Sequence, residues 1–183
     1  DSLGHSGIMV FGGDSIIIDR NFINNFCFLL DDAGGIYINT DANYRIISNN
    51  IVGNGYGSVQ GLNSSPFVKR SGSIEPFGIY LDDGGGGGNN VKVINNTVFN
   101  IAHSGLVFAR SNNTEWTGNT VYGCRIGLMN RGRFFNDPDF KVKIKNNRIA
   151  SNKTSVDPLN LEDGVISFGI WAKNFSKSIE MDS

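Results

Sequence analysis

Hydrophobic residues along this chain come in short alternating runs, not in helical stripes. Gly7-Ile8-Met9-Val10, Gly78-Ile79-Tyr80-Leu81, Gly105-Leu106-Val107-Phe108 and Gly127-Leu128-Met129 each start from a glycine and alternate with the two-residue period of a strand. A second kind of run opens on asparagine: Asn21-Phe22-Ile23, Asn50-Ile51-Val52, Asn96-Thr97-Val98, Asn119-Thr120-Val121 and Asn147-Arg148-Ile149. The two kinds interleave, so the chain is a set of repeats in which short strands meet at Asn/Gly corners.

That pattern predicts an all-β fold, a right-handed parallel β-helix of about six coils forming a single domain over residues 1–183. Each coil lies on the one below at the spacing of paired strands. Ile8, Val10, Ile79, Leu81, Leu106 and Phe108 then stack inward as apolar columns. Asparagine suits the corners because it tolerates left-handed backbone and its side chain can bond from coil to coil. A β-sandwich would also give short strands, but not the same asparagine corner five times over. Residues 58–76 and 132–140 break the repeat and read as loops thrown out from corners, which in solenoids gather around a binding face.

Composition narrows the classes of function. Of 183 residues 18% are charged, with a net charge of -1, so there is no basic footprint for nucleic acid. No apolar run reaches the ~20 residues of a membrane span, so a membrane is not expected as a partner. Cys27 and Cys124 are too few for a disulfide framework and read as buried thiols. The first residues carry neither the basic nor the apolar part of a secretory leader, and Gly7–Phe11 already reads as a strand. The expectation is a piece of a longer secreted or periplasmic bacterial protein.

The candidate chemistry is acidic. Leu30-Asp31-Asp32-Ala33-Gly34 and Leu81-Asp82-Asp83-Gly84-Gly85 are near copies, each read as the close of a strand. Aspartate at a corner often does no more than bond the turn backbone. Two Asp-Asp corners on one face would instead supply the acid and the carboxylate that glycosidic cleavage needs. The preferred register lays Leu30-Asp31-Asp32 over Leu81-Asp82-Asp83, with both leucines inward and Asp83 beside Arg110. A carboxylate of the first pair then lies within ~5–10 Å of one from the second. The alternative, Gly35-Ile36-Tyr37 over Gly78-Ile79-Tyr80, separates Asp32 and Asp82 by ~20 Å of chain.

These stretches, with Phe11-Gly12-Gly13-Asp14-Ser15 before them and Ile36-Tyr37 within them, resemble bacterial β-helix glycosidases of glycoside hydrolase family 141 over residues 7–124. The resemblance implies a hydrolase of plant cell-wall glycans, a fucosidase or xylanase. Its acid/base and nucleophile would come from Asp31, Asp32, Asp82 and Asp83. The chain departs from the family pattern after Tyr37, where Ile38-Asn39-Thr40-Asp41 stands in place of Arg-Asp-Trp.

Tyr37, Tyr80 and Trp116 read as outward aromatics suited to sugar rings, Arg110 and Arg131 as polar groups on the same face, and His103 as a solvated turn residue before its strand, or else as one facing a sugar. No Cys/His cluster has zinc spacing, and no cofactor is required. The Asp-Asp corners do offer the hard oxygen ligands that calcium takes. Two other functions stay open: a non-catalytic glycan-binding or adhesin-like module, and a polysaccharide lyase, against which the lack of a lysine at the corners counts. In each case the expected partner is an oligosaccharide or polysaccharide.

Overall fold

The computed structural model describes residues 3–39, 42–58, 74–82, 88–109, 111–131 and 141–150, together with the backbone of two later strands. The first coil is β1 (Ile8–Phe11), β2 (Ile17–Asp19) and β3 (Phe22–Phe26), and the second is β4 (Ala33–Asn39), β5 (Ile46–Ser48) and β6 (Ile51–Gly55). The third is β7 (Pro76–Leu81), β8 (Lys92–Ile94) and β9 (Thr97–Ile101), and the fourth β10 (Ser104–Phe108), β11 (Thr114–Thr117) and β12 (Thr120–Tyr122). The fifth is β13 (Ile126–Asn130), β14 (Val142–Lys145) and β15 (Arg148–Ala150), followed by β16 (Ile170–Ala172) and β17 (Ile179–Met181) of a sixth.

Every third strand pairs in parallel. Sheet 1 runs β1-β4-β7-β10-β13-β16, sheet 2 runs β2-β5-β8-β11-β14-β17, and sheet 3 runs β3-β6-β9-β12-β15. This is the parallel β-helix expected from the repeats, and no helix occurs among the described residues. Pro76 already opens β7, so the first expected insertion ends before it. Residues 59–73 and 132–140 lie outside the described residues.

Three sets of columns fill the interior. Sheet 1 supplies Ile36, Ile79, Leu106 and Leu128, sheet 2 Ile47, Val93, Trp116 and Ile144, and sheet 3 Val52, Val98 and Val121, all buried. The recurring glycine of sheet 1 has a packing cause. A Cβ on Gly35, Gly78 or Gly105 would fall 2.3, 2.3 and 2.4 Å from the Cγ1 of Val52, Val98 and Val121. Sheets 1 and 3 converge there, and only glycine lets them close. Trp116 corrects an expectation, because it points inward. Its indole N–H donates to Thr114 Oγ1 at 3.1 Å, which lets so large a polar-edged ring sit in the core.

The corner asparagines form the expected ladder. The backbone N–H and the Nδ2 of Asn50 both donate to Asn96 Oδ1 at 2.9 Å, and those of Asn96 donate to Asn119 Oδ1 at 2.9 and 3.0 Å. Asn21 below and Asn147 above extend the same pattern. From Asn50 to Asn147 each Nδ2 also caps a carbonyl of the coil below, as Asn96 does with Ile47 at 2.9 Å, whereas that of Asn21 bonds Asp19 O of its own coil. The residue before each rung is left-handed: Arg20, Asn49, Asn95, Gly118 and Asn146, with φ between 54° and 68°.

Candidate functional site

The register of sheet 1 decides which polar groups meet. β4 and β7 pair Ile36 with Ile79, Tyr37 with Tyr80 and Ile38 with Leu81. The preferred register, Leu30 over Leu81, is therefore wrong. Leu81 is buried as expected, but Leu30 is 38% exposed, and the residue held inside at that corner is Asp31. Asp31 Oδ1 accepts the backbone N–H of Glu75 at 2.7 Å, so it braces the approach to β7 instead of facing a ligand. The steric demand of the glycine column fixes the Gly-Ile-Tyr triplets one above the other, and the look-alike Asp-Asp corners have no such constraint.

On the outer face of sheet 1 this register stacks Tyr37 against Tyr80, ring centroids 5.4 Å apart. Both phenols reach Asp82. Tyr80 donates to Oδ1 at 2.6 Å, Tyr37 to Oδ2 at 2.5 Å, and Asn39 Nδ2 sits 3.4 Å from Oδ2 and 2.8 Å from the Tyr37 hydroxyl. Burial first, and then the neighbouring carboxylate, pushes the Tyr37 hydroxyl well above its ordinary range. Burial does the same to Tyr80. The phenols therefore act as donors, and Asp82 takes the acceptor role between them.

Arg131 follows β13 on the same face. Its guanidinium lies 5.2 Å from the centre of the Phe77 ring and 6.0 Å from that of Tyr80, and pairs with Glu75 at 3.5 Å. Burial alone would lower it, but the fields of Tyr80, Glu75, Asp32 and Asp82 outweigh burial and raise it. Asp32, in left-handed backbone at φ 55° just before β4, also acts through its field on Tyr37 and Tyr80. Phe77, Val107, Ile126 and Met129 floor the cluster as an apolar layer outside the main core.

His103 is neither a solvated turn residue nor a ligand facing a groove. It is buried, with Nδ1 2.7 Å from Ser104 Oγ and its ring edge-on to Phe77 at 5.3 Å. Burial, with Arg125 and Arg131 nearby, drives its pKa down to about 3, so the ring is neutral.

Of the candidate residues, Tyr37, Tyr80, Asp82 and Arg131 come to one face, Asp32 stands before β4 and reaches them through its charge, Asp31 is turned away, and His103 lies beneath. Asp83 and Arg110 lie outside the described residues. Among the described residues no three His, Cys, Asp or Glu side chains gather as metal ligands. Sequence reasoning missed Asn39, Glu75 and Phe77. The signal for Asn39 was its place two residues after the outward Tyr37, whereas Phe77, three residues before Tyr80, falls on the inward side by strict alternation and gave none. Glu75 had none, because it lies in the stretch of sequence that breaks the repeat.

Compared with known families, the chain matches the model of the right-handed β-helix region over residues 1–149. No curated protein and no solved structure matches it. The match concerns the β-helix and carries no assignment to glycoside hydrolase family 141.

Proposed function

The chain belongs to the right-handed β-helix region family, and from that premise we propose that it is a carbohydrate-active protein, a glycoside hydrolase working on the outer face of sheet 1. The observation that carries the reading is Asp82, a carboxylate gripped on both oxygens by phenol donors from neighbouring coils. A carboxylate so oriented suits attack on an anomeric carbon, or activation of a water beside it, as its lone pairs are aimed by fixed donors. Asp32 is a carboxylate whose field reaches Arg131, and the glycosidic oxygen takes its proton from solvent as the bond to the sugar breaks. Tyr37 and Tyr80 orient Asp82, and Arg131 binds substrate oxygens.

Charge supports hydrolysis over elimination. Among the described residues, the carboxylates of Asp32, Glu75 and Asp82 face the single guanidinium of Arg131. A uronate, which a lyase needs, would meet net repulsion there, whereas a neutral sugar would not. The reading carries an extracellular or periplasmic setting with it, where polysaccharide is met.

One observation favours a second reading, a non-catalytic glycan-binding module. Asp82 is already satisfied by its own tyrosines, as in a rigid recognition surface. Hydrolysis of aryl glycosides and cell-wall oligosaccharides by wild type and Asp82→Asn separates the two. The hydrolase reading expects turnover in wild type and a loss of ~10²–10⁴-fold in the variant. Wild-type binding of oligosaccharide without turnover leaves the binding module. Turnover equal in both proteins removes Asp82 from the chemistry.

A further inference from the structure

Phe11 closes β1 on the outer face of sheet 1 and is 62% exposed. It is nevertheless held. Its ring meets Tyr37 edge-to-face, centroids 6.0 Å apart at an interplanar angle of 78°. Phe11 pairs with Asn39 of β4, and Asn39 stands beside Asp82, whose backbone N–H donates to Ile38 O at 2.8 Å. Phe11, Asn39 and Asp82 therefore form one outward row across three coils. The chain leaves Phe11 through Gly12 and Gly13, both at positive φ, and a Cβ on Gly12 would meet nothing within 4 Å. One flank of the ring is thus open.

We infer that Phe11 is the stacking platform of a distal sugar subsite, so that the face takes an extended oligosaccharide lying along the solenoid axis, across the strands. This rests on the glycan reading of Asp82 above. The occupant follows from the chemistry of the row. Its one end is a flat apolar ring anchored by its edge, and its other end is a cluster of amide, phenol and carboxylate. A pyranoside chain has the same alternation, a C–H face that stacks on rings and hydroxyls that bond to polar groups. A peptide strand or a lipid would not use both. Direction follows from geometry. Adjacent strands lie ~4.8 Å apart, so Phe11 and Asp82 are separated by ~10 Å, a span that two linked hexose units cover. Along the strands instead, the face runs from Asp82 into the buried Tyr80 and Phe77, where no sugar fits.

The test is calorimetric titration with gluco-, xylo- and manno-oligosaccharides, from disaccharide to hexasaccharide, of wild type, Phe11→Ala, Phe11→Trp and Asp82→Asn. Wild-type affinity is expected to climb between disaccharide and tetrasaccharide. In Phe11→Ala that climb shrinks by about tenfold, the worth of one aromatic contact, and Phe11→Trp restores it. A folded Phe11→Ala that keeps the whole climb overturns the subsite and leaves the glycan reading of Asp82 standing. A wild type that binds none of the three series overturns both.

Discussion

Two polar columns run up this solenoid, and they are built on opposite principles. At the corner before sheet 3 the same residue recurs in every described coil: Asn21, Asn50, Asn96, Asn119 and Asn147. On the outer face of sheet 1 the equivalent row is Phe11, Asn39, Asp82, Ala109 and Arg131, no two alike. In the ladder each amide satisfies the next and caps a buried carbonyl, so its bonds are spent within the fold. In the sheet 1 row no residue meets a copy of itself, and Asp82 is held from the side by Tyr37, Tyr80 and Asn39. Identity from coil to coil marks structure, and the broken column around Asp82 is where the candidate site falls.

The comparison breaks first if the ladder does not bear load. Asn96→Ala would strand the Asn50 N–H, leave Asn50 Nδ2 with Ile18 O alone, remove a donor from Asn119 Oδ1, and uncap Ile47 O, all buried. The expected loss is about 3 kcal/mol in urea denaturation, with glycan affinity per folded molecule unchanged. Asp82→Asn should do the reverse, stripping activity while shifting the denaturation midpoint far less. If both variants lose stability alike, the sheet 1 row is structural as well.

This difference also explains what could be read from sequence. The ladder and the apolar columns were legible because each repeats one residue type in one environment. The site was half legible. Tyr37, Tyr80, Asp82 and Arg131 were found as outward polar positions, but their partnership was hidden by a register anchored on Leu30-Asp31-Asp32. Identical letters there conceal opposite fates, since Asp31 is buried on the Glu75 backbone while Asp82 faces outward under two phenols. The better anchor was glycine, whose need at Gly35 and Gly78 arises from a contact with valines of another sheet, beyond the reach of local pattern. Glu75 and Phe11 were missed because an ion pair with Arg131 and an edge-on ring contact, respectively, give them meaning.

A smaller effect separates the columns by pH. The ladder asparagines do not titrate, whereas His103 under the site is held neutral, its pKa lowered to about 3. The unfolded chain takes up this proton near the ordinary histidine pKa and the folded chain does not. Stability from His103 is therefore full above ~6.5 and is lost as pH falls from there toward 3, by about 2 kcal/mol at pH 5. Denaturation at pH 7.5 and pH 5 should show this loss in wild type and a flatter response in His103→Gln. Equal slopes in both proteins would place His103 in contact with water.

The smallest expected effect tests whether variety alone makes a site. The outward row of sheet 3 is as mixed as that of sheet 1: Phe22, Ile51, Thr97, Thr120 and Arg148. Phe22 is 69% exposed, slightly more than Phe11, yet its neighbour in the row is Ile51 and not an amide leading to a carboxylate. Phe22→Thr keeps a good strand former on a solvent face, so stability should move by no more than about 0.5 kcal/mol. Its oligosaccharide affinity should equal wild type across every chain length, measured beside Phe11→Ala. An affinity loss matching that of Phe11→Ala would mean that any exposed ring on the solenoid serves, and the special standing of the Asp82 row would be gone.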